Sequence, residues 1–140
     1  MFDELNKYKN HGHFFLSPGE NLREKSAGVP DLPGVYYIFK LARGKIELVY
    51  IGSSGTMQQE GNFKKQFLYG RLNNKQDGLK RQQFFNQKMK EEDIDALDIY
   101  WFVTFDENHQ DLPGYVEGLL MQRFYTTYGE LPAWNKQFPA

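Results

Sequence analysis

Residues 34–52 read GVYYIFKLARGKIELVYIG, two runs of strand-forming residues separated by a short polar turn. β-Branched and aromatic side chains, which favour strands, are frequent in residues 35–39 and in residues 46–51. The segment Ala42-Arg43-Gly44-Lys45 between the two runs is typical of a turn. The stretch therefore predicts a β-hairpin, which supplies two neighbouring strands of an antiparallel sheet.

The remainder of the chain predicts helices and one more strand. The pattern of apolar residues predicts helices at residues 63–73 and 79–92, a third and largely buried strand at residues 97–105, and a last helix at residues 114–128. Pro113 suits the first position of that last helix, and Gly129 suits the position just after its end. The order β-β-α-α-β-α predicts an α/β fold, more closely an α+β sandwich in which helices flank a small central three-stranded antiparallel sheet.

Length and composition bound the kind of protein. A chain of 140 residues fits one globular domain with its own core. Residues 1–33 are mixed and contain turn signals, so we expect an N-terminal extension that wraps a functional domain at residues 34–140. The absence of cysteine excludes thiol catalysis and thiolate metal sites. No apolar run has the length of a membrane span, so we expect a soluble, cytoplasmic protein with no membrane partner.

The charges are distributed unevenly along the chain. The net charge is -1, which argues against indiscriminate binding to nucleic acid. Residues 61–90 nevertheless contain eight lysines and arginines and only one acid, Asp77. Such a basic segment in an otherwise acidic chain is either a surface that faces phosphates or a pair of solvated helical faces.

Glu117 lies on the apolar side of the last predicted helix. Residues three, four, seven and eleven positions apart line one side of a helix, and here they are Leu120, Met121, Phe124 and Tyr128. A buried carboxylate without a partner costs several kcal/mol, so we expect a cation, a metal ion or strong hydrogen-bond donors beside it. The alternative is structural, since the positive end of the helix dipole stabilises a carboxylate near the N-terminus.

Arg71 and Lys75 are four residues apart and share a predicted helix face with Phe63 and Phe67. An arginine that continues an aromatic row either lays its aliphatic stem along the apolar surface or reaches into a site. Its planar guanidinium group suits phosphate oxygens, because it can donate two parallel hydrogen bonds. The periodicity alone leaves both interpretations open.

Two short motifs on the predicted hairpin resemble those of a known family. Gly34-Val35-Tyr36 and Tyr50-Ile51-Gly52 are similar to the two half-motifs that name the GIY-YIG nuclease superfamily, and the chain resembles its small single-domain bacterial-type members. Further elements follow in the family's order: Arg71-Leu72 resembles its helical arginine, Glu117 its metal-binding glutamate, and Asn135 in Leu131-Pro132-Ala133-Trp134-Asn135 its C-terminal asparagine. The resemblance covers about residues 34–136.

The resemblance implies a metal-dependent endonuclease that hydrolyses phosphodiester bonds in nucleic acid, with DNA favoured over RNA. Glu117 would anchor one Mg²⁺ or Mn²⁺ ion, expected to bind together with the substrate. Tyr36 would act as general base on the attacking water, with Tyr50 as its hydrogen-bonding neighbour. Arg71 would neutralise the charge that develops on a phosphate oxygen. Asn135 would support the site through side-chain hydrogen bonds.

The resemblance also implies a set of substrate-binding residues: Gly52, Ser53, Lys64, Lys65 and Lys75. Gly52 would end the second strand and let the backbone approach the substrate. The loop between Gly52 and Arg71 is longer than is usual in the family, which makes Lys64 and Lys65 rivals for the role of the arginine. We choose Arg71 because a lysine lacks the bidentate fork. Lys75 stands where many members have a histidine, and its charge would favour ionisation of a nearby phenol.

The two motif tyrosines can act together only if they share one face of the sheet. A regular two-residue turn at Arg43-Gly44 would pair Tyr37 with Tyr50, so a shared face requires a bulge or an odd loop. We therefore predict that Tyr36 lies directly opposite Tyr50 across an irregular hairpin. Tyr37 is then expected to point to the other face, into the core.

Two rival functions are compatible with these residues. A non-catalytic module of the same fold would bind nucleic acid without cutting it. A structural interaction domain would use its aromatic residues to associate with a protein partner. Glu117 on an apolar helix face favours the nuclease, because a module that does not cut has no need of a buried carboxylate.

Overall fold

Four antiparallel strands form the central sheet in a computed structural model of the chain, which describes residues 2–63, 67–76 and 79–138, with the backbone alone at residues 75 and 76. In chain order the elements are β1 (His11–Leu16), α1 (Leu22–Lys25), β2 (Gly34–Ala42), β3 (Lys45–Ser54), α2 (Leu68–Leu72), β4 (Lys75–Gln76), β5 (Leu79–Lys80), α3 (Arg81–Glu91), β6 (Ala96–Val103) and α4 (Pro113–Tyr128). The sheet order is β1-β6-β2-β3, and β4 and β5 form a small separate two-stranded sheet. The architecture is α+β, as expected, but the central sheet has one strand more than the three predicted.

The additional strand comes from the N-terminal extension. β1 runs antiparallel to β6, from His11 opposite Phe102 to Leu16 opposite Leu97. Local composition does not predict this strand, because Gly12 is unfavourable in strands and its two histidine neighbours do not favour them. Pairing with β6 supplies the backbone hydrogen bonds, so this part of the extension is an edge of the sheet rather than a wrap around it.

The helices agree with the predicted positions to different degrees. α4 carries Pro113 in its first turn, and Gly129 follows its end with a φ of 74°, in the left-handed region that favours glycine. α2 and α3 are shorter than predicted. The described part of α2 begins at Leu68. α3 begins at Arg81 because Leu79 and Lys80 pair with β4 instead.

Helices cover both faces of the central sheet. On one face, α1, α2 and α3 pack together with Trp134 over Ile38 and Ile99. On the other face, α4 packs through Leu120 over Ile51. The sheet is therefore the middle layer between two apolar clusters. None of the described helices is long and apolar enough to cross a membrane.

A bulge makes the hairpin of β2 and β3 irregular. The two strands are joined at Arg43-Gly44, where both residues have positive φ angles of 54° and 74°, as two-residue hairpin turns require. The pairing register shifts between Ile38 and Phe39, which leaves Val49 without an opposite residue. This extra residue is the bulge that the shared-face hypothesis requires.

The bulge decides where the motif tyrosines point. Tyr36 and Tyr50 share a face, and their ring centres are 5.9 Å apart. The predicted direct opposition is wrong, because Tyr36 lies opposite Gly52 and Tyr50 is its diagonal neighbour. Tyr37 points to the other face, as predicted, where its ring stacks on that of Tyr100 at 5.2 Å.

Candidate active site

Tyr36 and Tyr50 form the centre of the candidate site, with their rings inclined at 30° to each other. Tyr36 has an exposed fraction of 0%, and its hydroxyl has no hydrogen-bond partner within the described part of the chain. Tyr50 is partly exposed. Electrostatic interaction with the neighbouring Tyr36, followed by burial, raises the pKa of Tyr50. The sequence assigned the water-activating role to Tyr36, but of the two phenols it is Tyr50 that reaches solvent.

The glycine of each half-motif stands where no side chain fits. A Cβ at Gly52 would lie 2.6 Å from Cζ of Tyr36 and 2.8 Å from Cε2 of Tyr50. A Cβ at Gly34 would overlap the backbone carbonyl of Phe102. Gly52 does not end the strand as expected, since β3 continues to Ser54. Its bare backbone instead leaves room for the two tyrosine rings to lie over it.

Arg81 lies against both tyrosines, and sequence reasoning did not single it out. Its Cζ is 5.7 Å from the ring centre of Tyr36 and 5.5 Å from that of Tyr50. Its exposed fraction is 1%. Burial alone lowers the pKa of the guanidinium group, and the two phenols more than offset this, so the pKa is raised. The only sequence signal for Arg81 was its position in the basic segment of residues 61–90. Because Gln82 and Gln83 follow it, this part of the segment resembles a solvated helix face.

Arg71 lies in the last turn of α2 and is exposed. Its positive charge partly opposes the rise in the pKa of Tyr50 and the rise in the pKa of Glu117. The side chain therefore acts electrostatically on the two groups that the sequence associated with it. An exposed guanidinium beside a partly exposed phenol is accessible to an anion from solvent.

Glu117 approaches from α4 and is 7% exposed. Burial raises its pKa, while hydrogen bonding from the Ser53 side chain and the charge of Arg71 oppose the shift. No ion pair within 4.0 Å involves Glu117 among the residues that the structure describes. The predicted apolar face is buried as far as Phe124, whereas Tyr128 at the helix end is exposed. Glu117 is thus a buried carboxylate that this site only partly compensates.

Asn135 stabilises the edge strand beside the tyrosines. Its Oδ1 accepts a hydrogen bond from the backbone N–H of Ile51 at 3.0 Å, and its Nδ2 donates to the Ile51 carbonyl at 2.9 Å. The backbone N–H of Trp134 donates to the carbonyl of Val49 at 2.8 Å. These contacts stabilise the bulged part of β3. Asn135 therefore supports the site through side-chain hydrogen bonds, as expected.

Of the three lysines predicted to bind substrate, the structure describes only the backbone of Lys75. Lys64 and Lys65 lie outside the described residues, so their rivalry with Arg71 stays a hypothesis. Lys75 is described through its backbone alone, as part of β4. The candidate site therefore comprises two tyrosines, two arginines, Glu117, Ser53 and Gly52, with Asn135 behind them.

A metal ion at this site would have few protein ligands. The described residues contain no group of three or more histidine, aspartate or glutamate side chains that could hold a metal ion. Mg²⁺ is commonly bound by one or two carboxylates and keeps several of its waters. A buried Glu117 that lacks an ion pair fits such a mode, in which substrate oxygens and water complete the coordination.

Comparison with known proteins returned no relative. No family model matches the chain, and neither curated proteins nor solved structures match it. Any function assigned to the chain therefore rests on its own residues and their arrangement.

Proposed function

We propose that this protein is a metal-dependent endonuclease of the GIY-YIG type, which hydrolyses phosphodiester bonds in nucleic acid, with DNA as the favoured substrate. One observation carries the proposal. Two tyrosines share a sheet face through a bulge and lie against Arg81, while Arg71 and the buried Glu117 of the opposite layer act electrostatically on Tyr50. These groups come from five separate segments of the chain, and packing alone does not require any of them to be polar.

The residues suit the chemistry of phosphodiester hydrolysis. Water must lose a proton as its oxygen bonds to phosphorus, and the leaving oxygen must gain a proton as its bond to phosphorus breaks. Tyr50 would accept this proton as a phenolate, because it is the partly exposed member of the pair. Its raised pKa means that nearby positive charge is needed to keep it ionised. Arg71 is exposed beside it and offers a planar donor to the non-bridging phosphate oxygens.

Glu117 and Ser53 would complete the site on the other side of the strand. Glu117 would hold one Mg²⁺ or Mn²⁺ ion, and when bound this ion would act as a Lewis acid toward the phosphate and the leaving oxygen. Ser53 restrains the carboxylate by hydrogen bonding. Burial of the carboxylate makes it a stronger electrostatic partner for a cation than an exposed one would be.

Cleavage assays with matched variants test the proposal. The protein is incubated with plasmid, single-stranded DNA, branched DNA and RNA, each with Mg²⁺ and with a chelator. Glu117→Gln should lower the cleavage rate about 100-fold or more, since it removes the anchoring charge. Glu130→Gln, an exposed position beyond the end of α4, is the control and should cut like the parent.

Three outcomes would overturn the proposal. Cleavage that persists in chelator would exclude a metal-dependent reaction. A Glu117→Gln variant as active as Glu130→Gln would remove the carboxylate from the mechanism. Binding to nucleic acid with no cleavage of any substrate would favour the non-catalytic module of the same fold.

A further inference from the structure

Arg81 is a buried cation, and two of its guanidinium donors lack acceptors among the described residues. It is the first residue of α3, and its side chain points under the sheet face that carries Tyr36 and Tyr50. Its Nε and Nη1 atoms have no hydrogen-bond partner, and the described residues provide no carboxylate within 4.0 Å of it. A buried charge in this state costs several kcal/mol unless an anion accompanies it.

The groups that face the guanidinium limit what that anion is. Tyr36 from β2 and Tyr50 from β3 are the groups that act on Arg81, and the Tyr36 hydroxyl lies near the guanidinium without a hydrogen bond of good geometry within the described residues. Arg71 from α2 and Glu117 from α4 act on Tyr50, with opposite sign. With 1% of its surface exposed, Arg81 is not accessible to a phosphate from solvent. A phenolate is the remaining anion in its surroundings.

We propose that Arg81 is a positioning residue that keeps the Tyr36–Tyr50 pair singly ionised, as the counter-charge to one phenolate. This inference deepens the proposed nuclease function, because it supplies the proton acceptor. One proton leaves the pair to solvent, and the resulting negative charge balances the guanidinium. During hydrolysis the pair takes up the proton that the attacking water loses, and the leaving oxygen takes a proton from solvent. The pair then releases its own proton to solvent before the next turnover.

The two tyrosines differ in their exposure to solvent and therefore in the part each plays in this proposal. Tyr36 is enclosed together with Arg81, whereas Tyr50 extends from that enclosure to solvent. A negative charge on Tyr36 raises the pKa of Tyr50, so in this proposal the pair carries one negative charge and not two. The negative charge therefore lies on the tyrosine pair, between the buried Arg81 and the surface of the site, where Tyr50 would contact the substrate.

Titration of the tyrosines by ultraviolet absorbance tests this directly and needs no nuclease activity. The chain has nine tyrosines. We expect one of them to ionise at lower pH than the others in the parent protein, and Tyr36→Phe or Tyr50→Phe should remove this early step. Arg81→Met should also remove it, whereas Arg81→Lys, which keeps the charge, should retain it. Arg123→Met, at an exposed position of α4, is the control and should leave the titration unchanged.

The results separate this inference from the nuclease proposal. A parent protein without an early tyrosine, or an Arg81→Met variant that keeps one, overturns the role of Arg81. An early tyrosine that depends on Arg81, in a protein that cuts no nucleic acid, would support that role and contradict the nuclease. If Arg81→Met does not fold, the parent and Arg81→Lys still decide, because both keep the cation and the absence of an early tyrosine in either one overturns the role of Arg81. In an active protein, Arg81→Lys should shift the pH profile of cleavage and leave substrate KM unchanged.

Discussion

The side chain of Asn135 bonds to both backbone groups of Ile51, accepting from the N–H at 3.0 Å and donating to the carbonyl at 2.9 Å. An amide that bonds in this way replaces a neighbouring strand at the open edge of the sheet. Ile51 lies between Tyr50 and Gly52, so the amide holds the stretch of β3 on which the phenols depend.

Asn135→Asp should destabilise the protein and reduce cleavage. A carboxylate can still accept from the Ile51 N–H, but it cannot donate to the carbonyl and would repel it. We expect a loss of about 1–3 kcal/mol in the free energy of unfolding, the cost of an unsatisfied polar group. Urea unfolding measures this, with the exposed Gln137→Glu as the control for added charge. Equal stability of the two variants would mean that the amide bridge contributes nothing.

Gly52→Ala should disrupt the tyrosine pair. The added Cβ would lie 2.6 Å from Cζ of Tyr36, so at least one ring must move. Overpacking of this kind typically costs about 1–3 kcal/mol, and cleavage should fall more than stability because the phenols are displaced. Gly118→Ala is the matched control, since its Cβ would meet only Phe138 at 3.7 Å and alanine favours the helix by about 1 kcal/mol. Thermal unfolding and cleavage of both variants would reveal the difference, and an unimpaired Gly52→Ala variant would contradict the packing argument.

Glu117→Gln should stabilise the protein at neutral pH although it slows cleavage about 100-fold or more. Burial raises the pKa of Glu117 in the folded state, so its contribution to stability is most favourable below the ordinary glutamate range and is lost as pH rises through the raised pKa. Glutamine avoids the cost of the buried charge, which we expect to be worth about 1 kcal/mol. Melting temperatures at pH 7 and at about pH 4 should therefore differ between variant and parent only at the higher pH. A variant less stable than the parent at pH 7 would show that the carboxylate is compensated by its surroundings.

Tyr8→Phe should weaken the attachment of the N-terminal extension. The buried Tyr8 hydroxyl donates to Oδ2 of Asp111 at 2.6 Å, and this bond, followed by that from Lys7, lowers the pKa of Asp111. A lowered carboxyl pKa means that the stabilisation is present above the ordinary aspartate range and is lost as pH falls through the folded-state value. We expect a loss of about 2 kcal/mol at pH 7, shrinking in acid. Tyr128→Phe, which removes an exposed hydroxyl, is the control; a pH-independent loss would exclude the carboxylate as the acceptor.

Some of the fold followed from residues that are neighbours along the chain. The hairpin of β2 and β3 was predicted from two runs of strand formers, and α4 from the spacing that places Glu117 beside Leu120. Both signals are local, because strand preference and helical periodicity depend on residues a few positions apart. β1 was not predicted because its partner β6 lies far along the chain and because its first half, His11-Gly12-His13, is unfavourable in strands.

The residues of the candidate site likewise differ in whether local sequence predicted them. Tyr36, Tyr50, Gly52 and Glu117 could be selected from motifs and periodicity, since each sits in an element with a strong local pattern. Local sequence alone did not distinguish Arg81 from the other polar residues at the start of α3. It predicted a shared face for the two tyrosines only if the hairpin contained a bulge or an odd loop. Only the packed structure decided that Arg81 is buried against both phenols, because the energy of a buried charge depends on whichever groups distant segments bring to it.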